Sequence, residues 1–86
     1  MTPELKDAKY AGGYKIRLCF NDGTTGTIDF EKELWGEVFE PMRELDLFRQ
    51  FSIHPEFRTL CWPNGADFAP EYLYQAAAQQ AAEADA

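Results

Sequence analysis

Tyr14, Ile16, Leu18 and Phe20 alternate with Lys15, Arg17 and Cys19, a period of two that predicts a half-buried strand over residues 14–20. Asn21-Asp22-Gly23 supplies a turn, and Thr24–Phe30, with its Thr, Ile and Phe residues, predicts the returning strand. Burial decides the register of this hairpin. A two-residue Asp22-Gly23 loop would set Ile16 opposite Asp29 and leave Ile28 and Phe30 on the Lys15/Arg17 face. A three-residue loop, Asn21–Gly23, sets Ile16 opposite Ile28 and Tyr14 opposite Phe30, so that the apolar side chains share one face. The expected connection is a type I turn closed by a left-handed Gly23 in a bulge. Upstream, residues 5–10 predict a first strand joined through Gly12-Gly13, but their alternation is weak and leaves its register open.

The middle of the chain changes period. Leu34, Trp35, Val38, Phe39, Met42, Leu45 and Phe48 recur at spacings of three and four, with Gly36 interrupting and Pro41 suited to a first helical position. This pattern predicts a helical turn near 31–35 and a helix of about two turns over 41–48. Alternation returns at Gln50–His54, where Phe51 and Ile53 face one side. Pro55-Glu56 reads as a turn and Arg58–Trp62 as the strand that follows. With His54–Phe57 as the loop, Phe51 falls opposite Leu60, and Trp62 continues the same inward face. Pro70 opens a last helix with Glu71 in its first turn. Its Leu73, Ala77, Ala81 stripe is expected to be too small-sided to pack beyond the first turns, and 76–86 to fray. The expected fold class is α+β: one small domain with antiparallel strands in two β-hairpins, short middle helices and a C-terminal helix, compact over about 5–75.

Composition narrows the function classes. An 86-residue chain that is 45% hydrophobic builds one core and not two. It carries 8 basic and 15 acidic residues, a net charge of −7, which repels phosphate backbones, so no direct nucleic-acid binding is expected. Residues 29–46 concentrate Asp29, Glu31, Glu33, Glu37, Glu40, Glu44 and Asp46 against Lys32 and Arg43. A solvated face is the simpler reading of this block, and a docking patch for a basic partner the sharper one. No apolar run approaches the roughly 20 residues of a membrane span, and Met1–Leu5 lacks the layout of a secretory signal. Cys19 and Cys61, far apart and without a CxxC neighbour, read as free thiols in a reducing cytoplasm. With His54 the single histidine, no metal and no cofactor are expected.

Candidate chemistry concentrates in Cys61-Trp62-Pro63-Asn64-Gly65-Ala66-Asp67-Phe68-Ala69-Pro70. Asp67 follows a turn dipeptide and precedes a helix, so capping or an Asx-type turn accounts for it. Trp62 faces inward with Leu60, with part of the indole expected at the surface. Trp35, in an irregular segment beside Gly36, is the better candidate for exposure, as suits a protein interface. His54 sits before Pro55 without a Ser, Cys or second His placed beside it, so no acid–base role and no catalytic residue is expected. No phosphate-binding Gly-rich loop and no GxSxG occurs. The candidate interaction surface is Trp35, Trp62, Asn64, Asp67, Tyr72 and Tyr74.

Three stretches carry a resemblance to a bacterial family called domain of unknown function 2442. They are Phe20-Asn21-Asp22-Gly23; Leu45 through Phe48 with the Phe51/Ile53 strand; and Trp62-Pro63-Asn64-Gly65-Ala66-Asp67 followed by Pro70-Glu71-Tyr72-Leu73-Tyr74. The resemblance covers roughly 5–75 and implies a small α+β domain without an established activity. Members of that family are short proteins, often encoded near another small protein and sometimes fused to a helix-turn-helix region. The resemblance therefore implies a protein partner and a toxin–antitoxin-like role. The leading expectation is a non-enzymatic cytoplasmic interaction module, the acidic, antitoxin-like member of a two-protein system. The alternative is a regulatory or ligand-sensing domain acting with a DNA-binding protein, with a pocket near Trp62, Asp67 and Tyr72. A homo-oligomer is a further expectation, because small sheets leave edges to be covered.

Overall fold

The computed structural model describes residues 3–34, 36 and 39–84, with side chains in the last helix described as far as residue 79. Strands β1 (Leu5–Tyr10), β2 (Lys15–Phe20) and β3 (Thr25–Asp29) form an antiparallel sheet in that order. Ile16 pairs with Ile28, and the Phe20 amide donates to the Thr24 carbonyl at 2.8 Å across the turn. Gly23, at φ 90°, donates to the Phe20 carbonyl at 3.0 Å. The three-residue turn and the burial-derived register both hold. The weak alternation of β1 has a cause in its pairing: an irregularity between Leu5 and Asp7 sets Leu5 opposite Phe20 and Ala8 opposite Leu18. A strict period of two would have put Leu5 on the solvent side with Asp7 and Lys9, and the bulge returns it to the core.

The helix expected over 41–48 is broken. A 3₁₀ turn, Glu40–Arg43, and a single α turn, α1 (Leu45–Phe48), are separated by Glu44, which is extended at ψ 116°. Its amide closes the first turn on Pro41, and its carbonyl accepts from Leu47 and Phe48 to start the second. The break has a packing reason. Met42 and Phe48 are both fully buried, whereas six residues of straight helix would turn them about 120° apart. A further 3₁₀ turn spans Glu31–Glu33, in agreement with the first predicted helical turn.

Strands β4 (Ser52–Ile53) and β5 (Leu60–Cys61) form the second hairpin, shorter than predicted and in a different register. Ile53, not Phe51, pairs with Leu60, so the loop is longer by two residues and the strand starts at Leu60 instead of Arg58. A shift of two leaves every side chain on its predicted face, which is why Leu60 and Trp62 are still buried. The loop closes itself: His54 N–H donates to Thr59 at 2.8 Å, Arg58 N–H donates back to His54 at 2.9 Å, and Arg58 turns the chain at φ 52°.

Helix α2 (Pro70–Ala84) lies against β3. Its alanine stripe packs more closely than expected. Ala77 is fully buried, and a Cβ on Gly26 would stand 2.6 Å from the Ala77 carbonyl oxygen. The missing side chains thus allow a backbone-to-backbone approach, and the helix spans Pro70–Ala84. Ala81 lies beyond the residues whose side chains are described.

Candidate interaction surface

The Trp62–Asp67 segment is a tight turn whose acceptor is Asn64. Asn64 Oδ1 accepts from the Ala66 amide at 3.1 Å, Gly65 takes φ 89°, and Trp62 N–H donates to the Ala66 carbonyl at 2.9 Å. This is the Asx turn assigned above to Asp67. Asp67 itself is exposed. Its backbone bridges Cys61, and among the described residues its carboxylate caps no helix amide. Asn64 also sends Nδ2 to the Met42 sulfur at 3.5 Å, tying the turn to the 3₁₀ segment.

Trp62 is not a surface residue. It is 3% exposed, and its Nε1–H donates to the Phe48 carbonyl at 2.8 Å. Burial satisfies both the indole donor and an end-of-helix acceptor, so no part of the ring needs water. Trp35 lies outside the described residues.

Tyr72 and Tyr74 go separate ways. Two residues along a helix turn the side chain by about 200°, so the pair cannot share a face. Tyr74 packs edge-on against Phe20 at 5.2 Å and donates to Asp22 Oδ2 at 2.6 Å. That hydrogen bond, followed by those from Thr24, holds the Asp22 carboxyl below its ordinary range. Tyr74 therefore ties α2 to the first hairpin. Tyr72, 39% exposed, stacks on Phe68 at 5.7 Å, and Phe68 stacks on Phe39 at 4.8 Å. Partial burial, then the neighbouring Glu33 carboxylate, push the Tyr72 phenol above its ordinary value. The Asn64–Tyr72 segment and the acidic 29–46 stretch thus meet at one place.

A feature missed in the sequence borders this surface. Phe57 is 62% exposed and lines an open groove of about 440 Å³ with Thr59, Asp67, Phe68, Ala69 and Pro70. The groove is fixed by hydrogen bonds: buried Thr59 donates Oγ1–H to the Phe68 carbonyl at 2.5 Å, and Phe68 N–H reaches Leu60 at 3.3 Å. His54 shapes the turn that presents Phe57. Its Nδ1 accepts from the Glu56 and Phe57 amides, each at 3.1 Å, and its ring lies 4.7 Å from that of Phe57. His54 is a turn acceptor, with no hydrogen bond to Asp67. The signal for Phe57 was present: a large apolar residue inside a turn with no inward face assigned to it.

On the outer face of the three-stranded sheet, Lys9 pairs with Arg17 beside a smaller depression of about 220 Å³ that Cys19 also lines. Cys19 and Cys61 are free and half-buried. Among the described residues no group of three or more His, Cys, Asp or Glu side chains is placed to hold a metal ion, and no helix is long and apolar enough to cross a membrane.

No curated protein and no solved structure matches the chain. The family model described as Protein of unknown function (DUF2442) matches residues 5–79, from the first residue of β1 into α2 and across every element of the Tyr72 surface, and the chain belongs to that family.

Proposed function

We propose that this chain is a non-enzymatic, cytoplasmic protein-interaction module that acts as the acidic, antitoxin-like member of a two-protein system. The observation that carries this reading is the Tyr72–Glu33 contact. It joins the stacked Phe39, Phe68 and Tyr72 rings to the Glu33 carboxylate of the 29–46 stretch. A half-exposed tyrosine beside a carboxylate suits a partner surface of Arg or Lys around an apolar anchor. The net charge of −7 favours rapid encounter with such a basic partner. Co-expression of the full chain with the product of the adjacent open reading frame, followed by size-exclusion chromatography, tests it. One co-eluting peak at low salt that weakens with added salt and with Tyr72→Ala is expected, and two separate peaks at low salt count against the reading.

The groove lined by Asp67 favours a second reading, a ligand-sensing domain that works in trans with a DNA-binding protein. Its volume of about 440 Å³ lies within the range of small-molecule sites. A thermal shift with a cationic metabolite, abolished by Asp67→Asn, is the outcome this reading requires.

A further inference from the structure

We infer that the Phe57 groove is a self-complementary contact through which two copies of this chain pair about a two-fold axis. A two-fold contact uses one patch twice, so the patch must hold both a projection and the recess that receives it. Both are present here. Phe57 is the most exposed large apolar side chain among the described residues, at 62%, and it stands at the wall of a groove whose other apolar lining is Phe68, Ala69 and Pro70.

The projection is held in place before any contact is made. His54 Nδ1 accepts from the Glu56 and Phe57 amides. Arg58 holds the loop in the left-handed region at φ 52°, the one non-glycine positive φ among the described residues. A left-handed arginine carries a backbone cost that glycine would avoid, and here it accompanies an outward-facing phenylalanine. A fixed aromatic loses little entropy on docking, which favours it as an anchor.

Charge selects the occupant. Arg58 is exposed and follows Phe57 directly, while Asp67 is exposed and lines the groove. Neither side chain makes a hydrogen bond or ion pair with the described residues of its own chain. Seating Phe57 of one copy in the groove of the other carries Arg58 toward the partner copy's Asp67, and the two-fold axis makes that pair twice. A second copy thus supplies in one object the aromatic anchor, the apolar recess and the complementary charge. This inference does not rest on the heteromeric reading: it is tested on the chain alone, and that reading on the chain with its neighbour.

Sedimentation velocity of the full chain over a wide concentration range tests the pairing. Wild type is expected to pass from monomer to dimer. Phe57→Ala should weaken the dimer about thirtyfold, as truncation of an interface anchor does. Arg58→Asp and Asp67→Arg should each weaken it, and the double reversal should restore it. All three positions of change are on exposed side chains, and circular dichroism checks that each variant keeps its fold. A wild type that stays monomeric throughout overturns the inference. So does a dimer indifferent to Phe57→Ala, or a double reversal no better than its parents.

Discussion

Trp62 donates its indole proton to the backbone carbonyl of Phe48 at 2.8 Å, and the two rings lie 6.0 Å apart. One residue therefore fills the core beside α1 and satisfies a carbonyl at the end of that short helix. Trp62→Phe keeps an aromatic ring but removes the donor, leaving a buried acceptor without a partner and a gap in the packing. The expected cost is about 2–4 kcal/mol, read as a lower urea midpoint by far-UV circular dichroism. A cost below about 0.5 kcal/mol would show that water replaces the indole proton without difficulty.

Gly26 and Gly23 separate two uses of glycine. At Gly26 an added methyl meets the Ala77 backbone at 2.6 Å, and neither β3 nor α2 can yield without moving the other. Gly26→Ala is expected to destabilise by about 1–3 kcal/mol, the range of overpacked sites. At Gly23 the space is open, but φ is 90°, so Gly23→Ala costs about 1 kcal/mol through the backbone alone. Thermal melts of the two variants distinguish them: the loss at Gly26 should be the larger, and trimming the Ala77 side chain should not relieve it, because the clash is with the Ala77 backbone.

Asp22 gives the fold an acid-sensitive tie. Hydrogen bonds from Tyr74, then Thr24, stabilise its charged form and lower its folded-state value below the ordinary 3.8. A lowered carboxylate contributes stability that is present above 3.8 and lost as pH falls through the folded value. Tyr74→Phe and Asp22→Asn should therefore each flatten the fall in stability as pH drops from 3.8 through the folded value. Urea titrations at a series of acid pH values measure this, and a Tyr74→Phe profile parallel to wild type would contradict it.

Tyr72 behaves in the opposite sense. Partial burial and Glu33 favour its protonated form, so its folded value lies above the ordinary 10.0. The stability linked to it is present below 10.0 and lost as pH rises through the folded value. Glu33→Gln should bring the Tyr72 value down, which tyrosinate absorbance follows directly. If the absorbance titration of Glu33→Gln overlays that of wild type, Tyr72 and Glu33 do not interact and the proposed docking surface loses its link.

Much of the fold was legible because burial leaves few choices. The β2–β3 register followed from requiring Ile16, Leu18, Phe20, Ile28 and Phe30 on one face, and the Asn64-Gly65 dipeptide announced its turn. The second hairpin shows the limit of such reasoning. Registers that differ by two residues bury the same side chains, so only the closure of the 54–59 loop on His54 and Thr59 could choose between them. The candidate surface was half legible. Asn64, Asp67 and Tyr72 are exposed, but Trp62 is core, Tyr74 is a tie to Asp22, and Phe57 went unnoticed.

Period and turn chemistry by themselves determined which segments are extended, which are helical and which face of β2 and β3 is oily, since those depend on neighbours in sequence. Contacts between distant segments decided the rest. Leu5 turned inward because Phe20 offered it cover, Glu44 broke a helix so that Met42 and Phe48 could both reach the core, and Glu33 met Tyr72. A local pattern states that a side chain must be covered, and only the packed chain supplies what covers it, because covering atoms come from segments whose separation in sequence carries no periodic signal.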